Sequence, residues 1–214
     1  LYFIFILICF QGFIGWYMVS SGLVDRVDVS HFRLAVHLLI AFVIISLILW
    51  NYLELKDHNY FNQSLNKFIP IFFLIFIFMQ ITVGAFVSGM DAGKIYNSWP
   101  LMGSNFFPDD SKFIDLFSLS ALSEPSLVQF IHRNLAYFIC IFYLIILMQV
   151  YKKKLRNLFF IIKIIGLLLL VQIILGIFTL LYGAQMILAS MHQISSIFLI
   201  SSNIYFLHLN NKSN

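Results

Sequence analysis

The chain has 214 residues, of which 61% are hydrophobic and 10% charged, with a formal net charge of +4. Soluble domains carry about 25% charged residues, so this composition excludes one and points to an integral membrane protein. The cations form no stripe of the kind that tracks a phosphate backbone, and a nucleic-acid partner is excluded with it. Cys9 and Cys140 both fall inside apolar segments and supply no disulfide framework. Leu1 already lies in a hydrophobic run with no charged stretch before it, so this run is not expected to be a signal peptide, and the chain is expected to be truncated upstream.

Six stretches are long and apolar enough to cross about 30 Å of hydrocarbon, which takes about 20 helical residues each. They lie near Leu1–Ser20, Phe32–Leu53, Phe68–Ser88, Leu127–Val150, Leu158–Leu181 and Ile187–Leu207. No period-2 barrel pattern is present, so all six are expected to be helices. The turn Tyr151–Asn157 gathers Lys152, Lys153, Lys154 and Arg156, which marks the cytoplasmic or matrix side. Alternation puts residues 51–67 and the C-terminus on that side. The acidic stretch from Asp91 to Pro125, with Asp109, Asp110, Asp115 and Glu124, falls outside.

That orientation brings His37, His132 and His192 to similar depths near the outer ends of the second, fourth and sixth segments, at about 1.5 Å per residue. His58 falls in an inner loop and His208 at the inner end of the last segment, where solvated or interfacial roles are expected. The chain also repeats itself. Gln-x-x-x-Gly recurs as Gln11–Gly15, Gln80–Gly84 and Gln172–Gly176, each time in a segment running from inside to outside. Helix packing through a small residue accounts for such a pattern. The repeat divides the chain into residues 68–214, a complete four-helix unit, and residues 1–67, the second half of a like unit.

An ionisable side chain inside a membrane helix is costly and marks a function. His132 and His192, at one level in two helices, suggest a metal held between them, with haem iron the leading candidate. Zinc would call for further Cys, His or carboxylate donors at that level, and the sequence offers none. Arg133 beside His132 suits a haem propionate, although snorkelling to headgroups also explains it. In the N-terminal unit the spacing from the repeated glutamine favours His31, whereas depth favours His37. His37 is the expected site residue, with Arg33 one turn before it on the same face as a further propionate partner. The loop from Gly89 to Gly103, with Asp91, Lys94, Tyr96, Asn97 and Trp99, fits either a cap over an outer pocket or an interfacial anchor.

Read together, the stretches QGFIGWYMVSSGL (11–23), HFRLAVHL (31–38), GAFVSGMDAGKIYNSWPLMG (84–103), QFIHRNLAYF (129–138) and QIILGIFTLL followed by ASMHQ resemble the haem A synthase family of bacteria and mitochondria. The loops lack the cysteine pair of one bacterial branch. The resemblance implies an eight-helix bundle of two pseudo-symmetric four-helix halves, six of whose helices are present here. It implies that His132 and His192 ligate a haem b cofactor, and that His37, rather than His31, meets the iron of the substrate haem O. The implied reaction oxidises the C8 methyl group of haem O to a formyl group. The catalytic acid and base are expected upstream of Leu1, and the 214 residues alone are expected to be inactive. Expected partners are haem O, a haem O synthase, an electron acceptor or donor of unknown identity, the bilayer of a bacterial or mitochondrial inner membrane, and further copies of the chain. A di-haem cytochrome b that only transfers electrons is the competing expectation; a membrane anchor or transporter without haem is a third.

Overall fold

The computed structural model describes residues 1–22, 29–56 and 64–212. His58 and most of the turn between the first two helices lie outside the described residues. Within them, six long helices run in chain order: α1 (Tyr2–Gly22), α2 (His31–Glu54), α3 (Phe68–Gly89), α4 (Pro125–Lys152), α5 (Phe159–Leu181) and α6 (Met186–Asn211). All six are long and apolar enough to cross a membrane. They form because a helix satisfies every backbone N–H and C=O within itself, which hydrocarbon demands. None of the five whose N-cap is described, α2 to α6, carries a side-chain cap bond.

The expected spans match these helices to within four residues, and α2, α4 and α6 run further than hydropathy alone indicates. At α6 the extension has a specific cause. Buried Asn210 accepts the Leu65 N–H (2.8 Å) and donates to the Leu65 carbonyl (3.2 Å), so the last turn is fixed by the chain entering α3. His208 is a correction: it is fully buried rather than solvated, its ring edge-on to Trp50 and its Nδ1 3.4 Å from the Glu54 carboxylate. Lys212 pairs with the same carboxylate at 3.0 Å.

Each of α3, α4, α5 and α6 packs on its two neighbours around a square, α3 on α4 and α6, and α5 on α4 and α6. The helices carrying His132 and His192, α4 and α6, therefore stand on a diagonal. α2 lies across α3 and α6, and α1 packs chiefly on α2. The main core fills the end of the bundle with the basic turn, where Phe42, Phe73, Ile77, Ile146, Val150, Ile162, Ile165, Ile200 and Phe206 meet. It includes Phe42 from α2, so apolar packing is continuous across residue 67. A smaller cluster, Ala35, Val83, Ala85, Phe86 and Val128, joins α2, α3 and α4 near the other end, which carries the long loop. Nothing comparable fills the α5–α6 side at that end: no residue of α5 beyond Leu169 and none of α6 before Leu199 is buried.

Candidate functional site

The three histidines sit in that less filled end, six, seven and six residues past the first residues of α2, α4 and α6. Each belongs to a helical hairpin of one design. The first helix (α1, α3, α5) carries Gln-x-x-x-Gly, and the second (α2, α4, α6) carries the histidine. In an α-helix positions i and i+4 share a face, so glutamine and glycine of each pair look at the partner helix together. Gln11 Nε2 lies 3.3 Å from His37 Nε2. Gln80 Nε2 lies 3.2 and 3.3 Å from the two ring nitrogens of His132 and donates to its backbone carbonyl at 3.1 Å. Gln172 Nε2 donates to the His192 carbonyl (3.1 Å) and to Ser195 Oγ (2.7 Å).

This pairing assigns the structural equivalent in the first hairpin. His37, not His31, occupies the place of His132 and His192. His31 starts α2 against Gly89 and packs its ring on Phe32 and Phe86. The 20-residue spacing misleads because the turn before α2 is longer than the one before α6.

His132 and His192 lie deep in the bundle and within electrostatic range of each other, and both residues are partly buried. His37 and His192 each have a buried Nδ1 with no hydrogen-bond partner among the described residues. No group of three or more His, Cys, Asp or Glu among the described residues could hold a metal ion with protein donors alone.

The chain that follows α3, residues 90–124, is tied down from the first turns of α4. Arg133 Nη1 donates to the carbonyls of Ser98 (3.0 Å) and Leu101 (3.2 Å), and Nη2 to that of Tyr96 (3.0 Å). Gln129 Nε2 donates to the same Tyr96 carbonyl at 3.1 Å. Trp99 Nε1 donates to Tyr137 Oη (3.1 Å), one turn beyond Arg133. The loop is anchored on α5 as well, through Asn97 Nδ2 to the Leu180 carbonyl at 2.8 Å. Tyr96 is its hub: the phenol oxygen accepts the Asp109 N–H (3.1 Å), and burial together with the Asp110 carboxylate raises its pKa, which keeps it protonated. Asp110 in turn accepts from Ser126 Oγ at the start of α4 (2.6 Å). The loop is thus tied to two helices, α4 and α5. Arg133 commits both Nη atoms to it and retains only a buried Nε. Arg33 reaches back to α1, with Nη1 2.5 Å from Ser21 Oγ and its guanidinium 4.9 Å from the Tyr17 ring centroid.

Sequence reasoning missed Gln129 and the part played by Tyr96, since neither stands in a repeat. It also took the Gln-x-x-x-Gly pairs as helix packing. The available signal was that each pair precedes a helix with a histidine at constant depth.

Comparison with known proteins agrees with this arrangement. A protein termed Heme A synthase from Pelagibacter ubique is 46% identical over 213 residues, covering 100% of this chain and 62% of that protein. One of the same name from Rickettsia bellii is 41% identical, covering 94% of this chain and 61% of its own length. Another from Flavobacterium johnsoniae is 40% identical, covering 93% and 60%. The chain therefore spans about three fifths of the length of the curated relatives it matches. A family model described as cytochrome oxidase assembly protein matches residues 1–204, and the chain belongs to this family, COX15-CtaA.

Proposed function

We propose that this chain acts within a haem A synthase, oxidising the C8 methyl group of haem O to a formyl group for cytochrome oxidase. The observation that carries this is the pair of histidine hairpins α3–α4 and α5–α6 joined by a loop tied to both, in a chain 46% identical to a protein named Heme A synthase. The residues fit a haem. His132 and His192 stand on diagonal helices near the less filled end of the bundle, and the orphaned His192 Nδ1 calls for a further partner. Two imidazoles would suffice for an iron whose other donors come from a porphyrin. Bound between them, haem b would supply one-electron transfer.

The rest is done by the chain's own side chains. His132 and His192 would hold the cofactor, and His37 would meet the iron of haem O. Arg133, through its remaining Nε, and Arg33 offer cationic donors to propionates. The tied loop keeps water from the long-loop end, where Arg133, Gln129 and Trp99 hold it down. Conversion of CH3 to CHO with one oxygen atom from water releases four electrons and four protons, so an electron acceptor and a proton route are both required. The long-loop end faces the periplasm or intermembrane space. The basic turn and the C-terminus face the cytoplasm or matrix, as the positive-inside rule favours.

The test is co-expression of the complete gene with a haem O synthase, followed by chromatography of the extracted haems. Haem A is the expected product. His132→Ala and His192→Ala should remove or convert the low-spin b-type spectrum, whereas His37→Ala should abolish haem A and spare that spectrum. Residues 1–214 expressed alone are expected to bind haem b and form no haem A. A red protein that reacts with quinone and makes no haem A would instead establish the electron-transfer cytochrome.

A further inference from the structure

Two kinds of close contact recur at the described glycines of the long helices. At Gly89 and Gly166 an added Cβ would meet the backbone of His31 or the hydroxyl of Tyr143, which is the ordinary use of a small residue where helices approach. At Gly15, Gly84 and Gly176 it would meet an imidazole and nothing nearer. The nearest atoms come in one order at all three sites. Cε1 of His37, His132 or His192 lies at 3.0, 3.0 and 3.2 Å, then Nδ1 at 3.6, 3.6 and 3.7 Å, then Nε2 at 3.8, 4.0 and 3.8 Å. Gly12, in the same helix as Gly15, has nothing within 4 Å. Three rings on three helices therefore share one pose, each laying its Cε1 edge on a bare glycine. The glutamine one turn earlier reaches the ring or the carbonyl of that same histidine in every copy.

From this repeated contact we propose that Gln-x-x-x-Gly is an imidazole seat. Gln11 and Gly15 are positioning residues for His37, Gln80 and Gly84 for His132, and Gln172 and Gly176 for His192. The proposal rests on the ligand roles given under the proposed function and adds what fixes the ligands. A methyl group 3.0–3.2 Å from Cε1 is closer than carbon atoms pack at their optimum of about 3.5–4.0 Å, so the ring must turn or the helices part. The plane of each axial imidazole is thereby set from the neighbouring helix. Outer groups of this kind orient metal-binding histidines, and their loss costs about 10–100-fold in affinity. The repeating unit of the molecule is then the two-helix hairpin, seat first and ligand second, and the cofactor site is made by two of them.

The experiment uses the complete gene product, purified from membranes with its haem. Haem per polypeptide, the electron paramagnetic resonance spectrum of the ferric low-spin haem and its reduction potential are measured. Gly84→Ala and Gly176→Ala should shift the g values and potential or lower haem affinity about tenfold. Gly15→Ala should leave those cofactor signals in place and reduce haem A yield about tenfold. Gly12→Ala should behave as wild type. Should an alanine variant fail to accumulate, Gln80→Met keeps the side-chain length, removes only the amide, and must still move the spectrum or the potential. Wild-type signals in Gly84→Ala, Gly176→Ala and Gln80→Met, with the signal lost in His132→Ala, would overturn the seat and leave the ligands standing. Wild-type signals in His132→Ala and His192→Ala would overturn both.

Discussion

A single missing side chain decides how close α4 and α5 come. Tyr143 lies over Gly166, and its hydroxyl donates to the Ile162 carbonyl at 2.9 Å, one turn away on α5. That bond depends on the absence of a Cβ beneath it. Replacing Gly166 with alanine should displace the Tyr143 ring and destabilise the protein by about 1–3 kcal/mol, the usual range for overpacking. Gly12→Ala, on an open helix face, should lie within about 0.5 kcal/mol of wild type. Thermal unfolding in detergent would compare them, and equal midpoints for the two would show that α4 and α5 do not approach as described. The same reasoning separates His37 from His31. Both are histidines near the start of α2, and only the one facing Gln11 and Gly15 has the surroundings of His132 and His192.

At the scale of an element, the loop between α3 and α4 is held by few but strong bonds. Arg133 serves three carbonyls from one planar fork, a geometry that a lysine ammonium does not reproduce. Arg133→Lys should therefore loosen residues 96–101 although charge is kept. With bonds to a charged donor at about 1.5–3 kcal/mol each, losing one raises local hydrogen exchange by about tenfold or more. Unchanged exchange there would mean that the loop is held from α5 instead. A second set of bonds, within the loop itself, should respond to acid. Side-chain bonds from Asn105 and Ser104 hold the Asp109 carboxyl below its ordinary range. A carboxyl depressed by folding contributes stability above its unfolded pKa, about 3.9, and loses it as pH falls through the lower folded value. Trp99 fluorescence, with Trp16 and Trp50 replaced by phenylalanine, should report loosening below about pH 4, and Asp109→Asn should abolish that acid step. An identical acid profile in Asp109→Asn would assign the step to another group.

For the whole molecule, charge and burial place the two ends of the bundle in different surroundings. One end carries Lys152, Lys153, Lys154 and Arg156; the other carries the acidic loop. With Cys9 and Cys140 replaced by serine, a cysteine at position 153 should react with an impermeant reagent only from the cytoplasm or matrix. A cysteine at position 110 should react only from the opposite side. Reaction of position 153 from the periplasm or intermembrane space would invert the molecule and move its histidines to the inner leaflet. Across the bundle, Glu54 on α2 meets His208 on α6 and Lys212 just after it. Together with Phe42 in the common core, this joins residues 1–67 to the four-helix unit that follows.

The sequence by itself determined the number of helices, their places and their connectivity, because hydrocarbon imposes length and apolarity on each span independently of the others. It also determined the common depth of three histidines, since depth along a helix is simply residues counted at fixed rise. What depends on rotation about a helix axis was left to the tertiary structure. Which histidine of α2 faces α1, that Arg133 spends its forks on the loop, that His208 is buried beside Glu54, and that the repeated glycines touch imidazoles all follow from how neighbouring helices turn toward each other. Those angles are fixed by close packing between distant segments, and no local pattern of residues encodes them.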